Sequence, residues 1–469
     1  MSNLMNRAIN ACQNSGLNIF DHFPEVRKTV EMPSKPHKTG FVEVSKTKMK
    51  SVIGFIYSVI VIIIGMQTAN AQRVLTYEEY IKNVREKNIE YIVEKYNVSI
   101  AEANAQAAKV FPDPELSFGY ENNQDKTMQM GQSYAAELGY TLELGGKRRA
   151  RMAVARSEQQ MTEALVEDFF RNLCADATLC FLETLKQKQL VELALSSYQS
   201  LRDLAHGDSL RYTHGEIAEV DAMQSRLEAT TMMTDYLQTE AEYTNMLSDL
   251  VVFEGGVAKI NALSGDLPLV LRAYNLQDLI MLAQDSRADL RAAIHNRELS
   301  AANLKFAKAN RVIDLGLNIG FAHNTIVLNE IAPAPRHNSV SVGIAIPLKF
   351  SNTNKGELRA AQYSEQQAEA QYDAVLLQIH KEVEQCYNSY IAAYRQAELY
   401  RDKALADASS ILEKKKYSYS RGETSLLEVL VAQRTANEAF QSYYEALYNA
   451  NASLVELYRV VGIWEFDFF

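Results

Sequence analysis

The sequence predicts a mostly α-helical chain with a small β part, in which long antiparallel coiled-coil hairpins join four β-strands per chain. Three observations predict it. Residues 146–211 and 354–418 contain no Pro and almost no Gly. Four other segments alternate apolar with polar or small residues. The order of these features occurs twice, over about 77–255 and 273–462, a period too long for a solenoid array and pointing to internal duplication.

The N-terminal part reads separately. Lys46, Lys48 and Lys50 precede an apolar stretch from Ser51 to Met66, and Ala69-Asn70-Ala71 gives a small-x-small site before Gln72. Those are the parts of a secretory signal peptide, and the apolar run is shorter than the roughly twenty residues of a spanning helix. Residues 49–71 are therefore expected to be removed. Residues 1–48 are expected to be a mis-called start or an unstructured extension. The whole chain has a net charge of −10, and setting aside residues 1–71 leaves it more acidic, which argues against nucleic acid as a partner. Cys174, Cys180 and Cys386 lie in helical sequence without Cys-x-x-Cys spacing and read as small buried apolar residues.

The alternating segments come in pairs. In the first half, Leu116, Phe118, Tyr120, Tyr134, Leu138 and Tyr140 share one face. In the second, Leu315, Leu317, Ile319 and Phe321 face the same way as Val340, Val342, Ile344 and Ile346. Period two marks strands with one apolar face. Each pair reads as a hairpin with a long polar loop, near 121–132 and 322–338. A small, polar opposite face suits a water-filled lumen and an apolar face suits lipid. Four strands cannot close a membrane barrel, and an open edge in lipid is not tolerated. Three symmetric copies would close one of twelve strands.

Each long helical run would reach on the order of 95–100 Å at 1.5 Å per residue. Positions 426, 430, 433, 437, 440, 444, 447, 451, 454, 458 and 461 alternate steps of four and three, the heptad seam of a coiled coil. Gln433, Asn437 and Asn451 place polar groups in that seam, where they would fix register. Gly215 and Gly422 interrupt helix-rich sequence in closely similar surroundings, RYTHGEIAEVDAMQ and SYSRGETSLLEVLVAQ. Both read as turns where a long helix reverses into its partner.

Together these pieces resemble the TolC-type outer membrane efflux proteins over nearly all of 72–469. The most specific stretches are TLELGGKRRAR from Thr141, IPLKFSNTNKGELRAA from Ile346, and the final run from Tyr419 to Gly462. The two junction sequences resemble the CzcC branch, associated with heavy-metal efflux. The resemblance implies a homotrimer, with a twelve-stranded barrel in outer-membrane lipid and an α-helical tunnel across the periplasm. It also implies a periplasmic adaptor and an inner-membrane pump, commonly of the RND type, as partners. Such a protein is a conduit: no enzyme, no cofactor, no metal site of its own.

By the same resemblance, Tyr419 matches a tyrosine of the periplasmic aperture, Asp221 its partner aspartate, and Glu428 the first carboxylate of a constriction ring. Thr424 stands where the pattern carries an arginine, and Val431 where it carries a second ring carboxylate. His214, Gly215, Ser420, Arg421 and Gly422 are the expected hairpin tips and adaptor contacts. Two simpler roles compete. First-turn carboxylates stabilise a helix through its dipole, and turn residues are often merely solvated.

Other classes fit less well. A periplasmic coiled-coil filament would suit the helices but has no need of four strands. An enzyme finds little support: the histidines are scattered, without His-x-x-x-His or Cys/His spacing, and no full phosphate-loop pattern follows Gly145-Gly146. His323 and His337 fall in an expected outer loop, too few to make a metal site. Multidrug efflux or type I protein secretion remains an alternative cargo for the same duct.

Overall fold

A computed structural model describes residues 73–125, 129–256, 259–269, 272–348 and 354–463. The expected extension (1–48) and signal peptide (49–71) lie outside the described residues.

The chain starts with β1 (Val74–Leu75), which pairs in parallel with the distant β4 (Ala262–Leu263). Between them come α1 (Tyr77–Lys87), α2 (Ile89–Ala107), β2 (Glu115–Asn122), β3 (Gln132–Leu142), α3 (Lys147–Thr213) and α4 (Glu219–Phe253). A similar order follows in α5 (Leu276–Ser286), α6 (Ala288–Asn310), β5 (Leu315–Asn324), β6 (His337–Ala345), α7 (Lys355–Leu399), α8 (Leu405–Ser420) and α9 (Leu426–Val461). Side chains of Thr76, Asn88, Asn275 and Ser425 accept hydrogen bonds from the first-turn amides of α1, α2, α5 and α9. Such caps satisfy donors that a helix start leaves free.

One expectation needs correction. The run 354–418 is not one helix: a π-helical turn at Tyr400–Ala404 separates α7 from α8, whereas α3 is unbroken over 67 residues. A π turn requires neither Gly nor Pro, so the helix-compatible sequence there gives no sign of it.

The four longer strands form one antiparallel sheet in the order β2-β3-β5-β6. Register stacks Leu116, Leu138, Ile319 and Val342 in one row, and Phe118, Ala136, Phe321 and Val340 in the next. On the other face the rows read Glu115, Gly139, Asn318, Gly343 and Ser117, Glu137, Gly320, Ser341. The apolar face is open: Phe118 and Val342 are each 78% exposed. Among the described residues no helix covers it, and β2 and β6 have no further strand paired to their outer edges. Among the described residues no helix is long and apolar enough to cross a membrane.

The apolar core sits far from that sheet along the chain. Phe181 stacks on Tyr80 and meets Tyr77 edge-on, and the buried Leu182, Leu185, Leu250, Val383, Leu454 and Leu457 belong to the same apolar cluster. The N-terminal segment is clamped here, because the Arg73 guanidinium donates two 2.9 Å hydrogen bonds to the buried Glu254 carboxylate. Two further guanidiniums grip the last turn of α9. Arg171 donates to the Arg459 carbonyl and Arg287 to that of Val460, a cation placement that the helix dipole favours.

All eleven heptad positions of α9 are buried or half-buried, as the four-three spacing requires. Its polar members have partners. Ser197 of α3 donates to Asn437 Oδ1 at 2.8 Å, Gln433 donates to the same oxygen at 3.1 Å, and Asn451 donates to the Pro268 carbonyl at 2.7 Å. A one-heptad slip would separate these pairs, so they oppose it.

Candidate functional site

The 67-residue α3 and the shorter α8 end in the same way. Gly215 has φ +74° and Gly422 φ +76°, a left-handed conformation that costs glycine nothing. The Glu216 amide donates to the Arg211 carbonyl and the Glu423 amide to that of Ser418, each at 2.9 Å. The Gly215 amide donates to Tyr212 and the Gly422 amide to Tyr419, completing two Schellman motifs. His214 and Arg421 are the exposed C-cap residues of α3 and α8. Ser420 donates to the Tyr417 carbonyl, and the Arg421 guanidinium lies 4.6 Å from the Tyr417 ring centre.

The two tips are tied together within the chain. Tyr419, buried between the hairpins, donates its hydroxyl to Asp208 Oδ1 at 2.9 Å. Arg211 lies 5.1 Å from the Tyr419 ring centre, 3.9 Å from Asp208 and 3.4 Å from Glu216, so one cation joins an aromatic face to two carboxylates. Beneath them Tyr419, Leu426 and Val429 pack with Leu204 and Leu430. Lys416 adds a bond from α8 to Ser200 of α3. Burial pushes the Tyr419 hydroxyl well above the usual tyrosine range, and its bond to the Asp208 carboxylate adds to the rise.

This arrangement differs from the expected pairing of Tyr419 with Asp221. Asp221 is half-buried in the first turn of α4, near enough for its charge to act on Tyr419, but the hydroxyl bond goes to Asp208. The reason lies in the coiled-coil face of α3. Leu201, Ala205 and Asp208 continue a four-three spacing, and Asp208 is 1% exposed. A carboxylate on a buried stripe needs a donor, and Tyr419 supplies it. That acid in an apolar stripe was the available signal for Asp208.

Glu428 is exposed and paired. Lys415 on α8 reaches its carboxylate at 2.5 Å, and this bond holds the Glu428 carboxyl below the usual glutamate range. Thus Glu428 finds its counter-ion on its own chain. Val431, where the resemblance carries a second acid, is exposed. His323 and His337, expected in a loop, lie instead in β5 and β6, because the ladder runs on to Asn324 and His337; they occupy adjacent registers on opposite faces, and their ring nitrogens lie 2.7 Å from Asn338 Oδ1 and 3.3 Å from Asn324 Nδ2 respectively. Among the described residues no group of three His, Cys, Asp or Glu side chains could hold a metal ion.

Among the described residues of the tips, nothing arranges a nucleophile against a base. Comparison with known proteins bears on the fold and the family. Residues 279–463 match the outer membrane efflux protein family. The cobalt-zinc-cadmium resistance protein CzcC of Cupriavidus metallidurans is 22% identical over 397 residues, covering 83% of this chain and 90% of CzcC. The outer membrane protein TolC of Vibrio cholerae is 20% identical, covering 75% of this chain and 82% of TolC. The outer-membrane channel OprN shares the fold with a TM-score of 0.69 at 17% identity, covering 82% of this chain and 89% of its own. Over residues 279–463 the chain thus matches the outer membrane efflux protein family, whose members are passive channels, and along most of its length it is similar to TolC-type proteins and shares the fold of outer-membrane channels.

Proposed function

We propose that this chain, as a homotrimer, is the exit duct of a tripartite pump that expels heavy-metal cations. The observation that carries the duct is the sheet. Its apolar rows face outward uncovered, its other face is small and polar, and both edges wait for a strand. Three copies joined β6 to β2 satisfy those edges and place the apolar rows in lipid. Metal cargo is supported by the likeness to a cobalt-zinc-cadmium resistance protein along most of both chains.

In this reading the helices form a tunnel closed at its far end by the tips. Tyr419, with Asp208 and Asp221 around it, holds neighbouring hairpins together, and Glu428 lines the constriction with Lys415 as its partner. His214, Gly215, Ser420, Arg421 and Gly422 meet a periplasmic adaptor, which links the duct to an inner-membrane pump of the RND type.

The test is cellular metal content. A strain lacking the protein is challenged at sublethal levels with zinc, cobalt, cadmium, copper or nickel. Selective accumulation of one or two metals, reversed by the wild-type protein, is the expected result. Unchanged metals with new sensitivity to dyes or detergents would keep the duct and discard the cargo.

A further inference from the structure

The place where β3 runs into α3 gathers positive charge that the rest of the chain does not explain. Three segments converge there: residues 108–111, 142–151 and 311–314. Arg148 donates to the Lys109 carbonyl at 2.7 Å, and its guanidinium lies 4.0 Å from the Phe111 ring centre. Arg151 donates to the Ala108 and Val110 carbonyls and to Glu143. Lys147 meets Asp314 at 2.6 Å, while Asp314 also accepts from the Leu144 amide. Gly145, with φ +71°, lies so close to Val312 that an added Cβ would stand 2.6 Å from its side chain.

These contacts use both carboxylates of the junction, Glu143 and Asp314. Lys109, Arg149 and Arg311 are left over. All three are exposed and, among the described residues, none has an acidic partner. Helix stability does not account for the whole cluster. The first turn of α3 carries Lys147, Arg148 and Arg149 and no acid, where the helix dipole disfavours cations; the first turns of α1, α2, α4, α5, α6, α7 and α9 each carry an acid. Exposed apolar side chains surround the cations: Val110, Phe111, Leu142, Leu144 and Val312. Leu142 continues the apolar face of β3, so the surface that meets lipid in the proposed duct runs into the basic patch without a break.

We infer that this junction binds acidic phospholipid headgroups, in the leaflet on the side where the helices leave the membrane. The inference rests on the reading of the sheet as a membrane barrel. Within it, the depth fits: acyl chains lie against the strand face, and Lys109, Arg149 and Arg311 stand one step beyond, at headgroup level. The chemistry fits also, because cations beside exposed apolar groups are what an anionic amphiphile pairs with.

The experiment reconstitutes the full-length protein in nanodiscs of equal phosphatidylethanolamine and phosphatidylglycerol, re-extracts it, and counts retained lipids per protomer by native mass spectrometry. Wild type is expected to enrich phosphatidylglycerol. The triple variant Lys109→Gln, Arg149→Gln, Arg311→Gln is expected to lose that enrichment, on the order of fivefold per cation removed. A remote control, Lys82→Gln, Lys381→Gln, Lys414→Gln, should keep it. Equal retention of both lipids by wild type, or unchanged enrichment in the triple variant, overturns the inference. So does preferential retention of added lipopolysaccharide, which would assign the patch to the other leaflet. Gel mobility before and after boiling is read on the same samples. Absence of a heat-sensitive oligomer in wild type counts against the barrel itself, whereas an intact oligomer without lipid preference counts against the headgroup site alone.

Discussion

The sheet and the hairpin tips solve opposite problems. The sheet leaves its apolar rows bare, with Val340 and Val342 more than 70% exposed, and no helix among the described residues comes to cover them. The tips do the reverse and bury a carboxylate, Asp208, against a tyrosine hydroxyl. One end is stabilised by what surrounds the protein, the other by a few specific polar contacts inside it. Damage at the sheet should therefore act through assembly, and damage at the tips through closure.

The largest expected effect is at the sheet. Val342→Arg puts a charge into the middle of the apolar rows, at a cost of about 2–4 kcal/mol per copy at a bilayer midplane. The heat-sensitive oligomer should disappear from outer-membrane extracts, while Val342→Ile leaves it unchanged. Normal oligomer yield from Val342→Arg would mean that this face does not meet lipid. Ser341→Asn, one residue away on the polar face, is expected to assemble.

The tips come next in size. Tyr419→Phe removes the donor to Asp208, whose other carboxylate oxygen already lacks a hydrogen-bond partner. Leaving a buried acceptor unsatisfied costs about 1–3 kcal/mol. The duct should open more readily, seen as higher single-channel conductance in planar bilayers and as leakage of large antibiotics in cells. Asp208→Ala should behave similarly. Asp221→Ala should be the milder of the two aspartate changes, and the reverse order would restore Asp221 as the main partner.

This contrast also decides what the sequence could reveal. The strands were legible because membrane burial imposes a period of two, and Leu116 to Tyr120 or Val340 to Ile344 repeat it without error. The seam of α9 was legible for the same reason, at alternating steps of four and three. Gly215 and Gly422 stood out because a left-handed turn is chemically demanding. Pairwise contacts leave no period. The Tyr419–Asp208 bond joins residues 211 positions apart, so sequence offered Asp221, a good N-terminal-turn acid, and not the acceptor found within the chain. The Lys415–Glu428 pair was hidden likewise, since it spans a turn between two helices. The π turn was invisible because Tyr400–Ala404 is ordinary helix sequence.

A smaller effect tests the constriction. Lys415 holds the Glu428 carboxyl below its ordinary value, so the pair contributes fully above the unfolded glutamate pKa and is lost as pH falls through the lower folded one. Channel noise should therefore be steady from neutral pH down to about 4.5, then rise on further acidification. Lys415→Met should increase preference for cations over anions by exposing the carboxylates, and Glu428→Gln should reduce it. Equal selectivity in both variants would place Glu428 away from the conduction path.

The smallest expected effect lies between the two ends, in the apolar core, and it serves as a control on both. Burial pushes the Cys174 thiol up to about 11 and the Cys180 thiol up to about 12. Thiolate is the reactive form, so at pH 8 both cysteines should resist a maleimide reagent in the native protein. In strong denaturant the same reagent should label them within minutes. A tip variant such as Tyr419→Phe should leave this protection intact, because its damage is confined to the closure. If opening the tips exposed Cys174 or Cys180, the hairpins would not be moving as local levers on a fixed core. The core formed by Phe181, Leu250 and Leu454 would then be part of the gate, and sheet and tips would be coupled through it rather than independent.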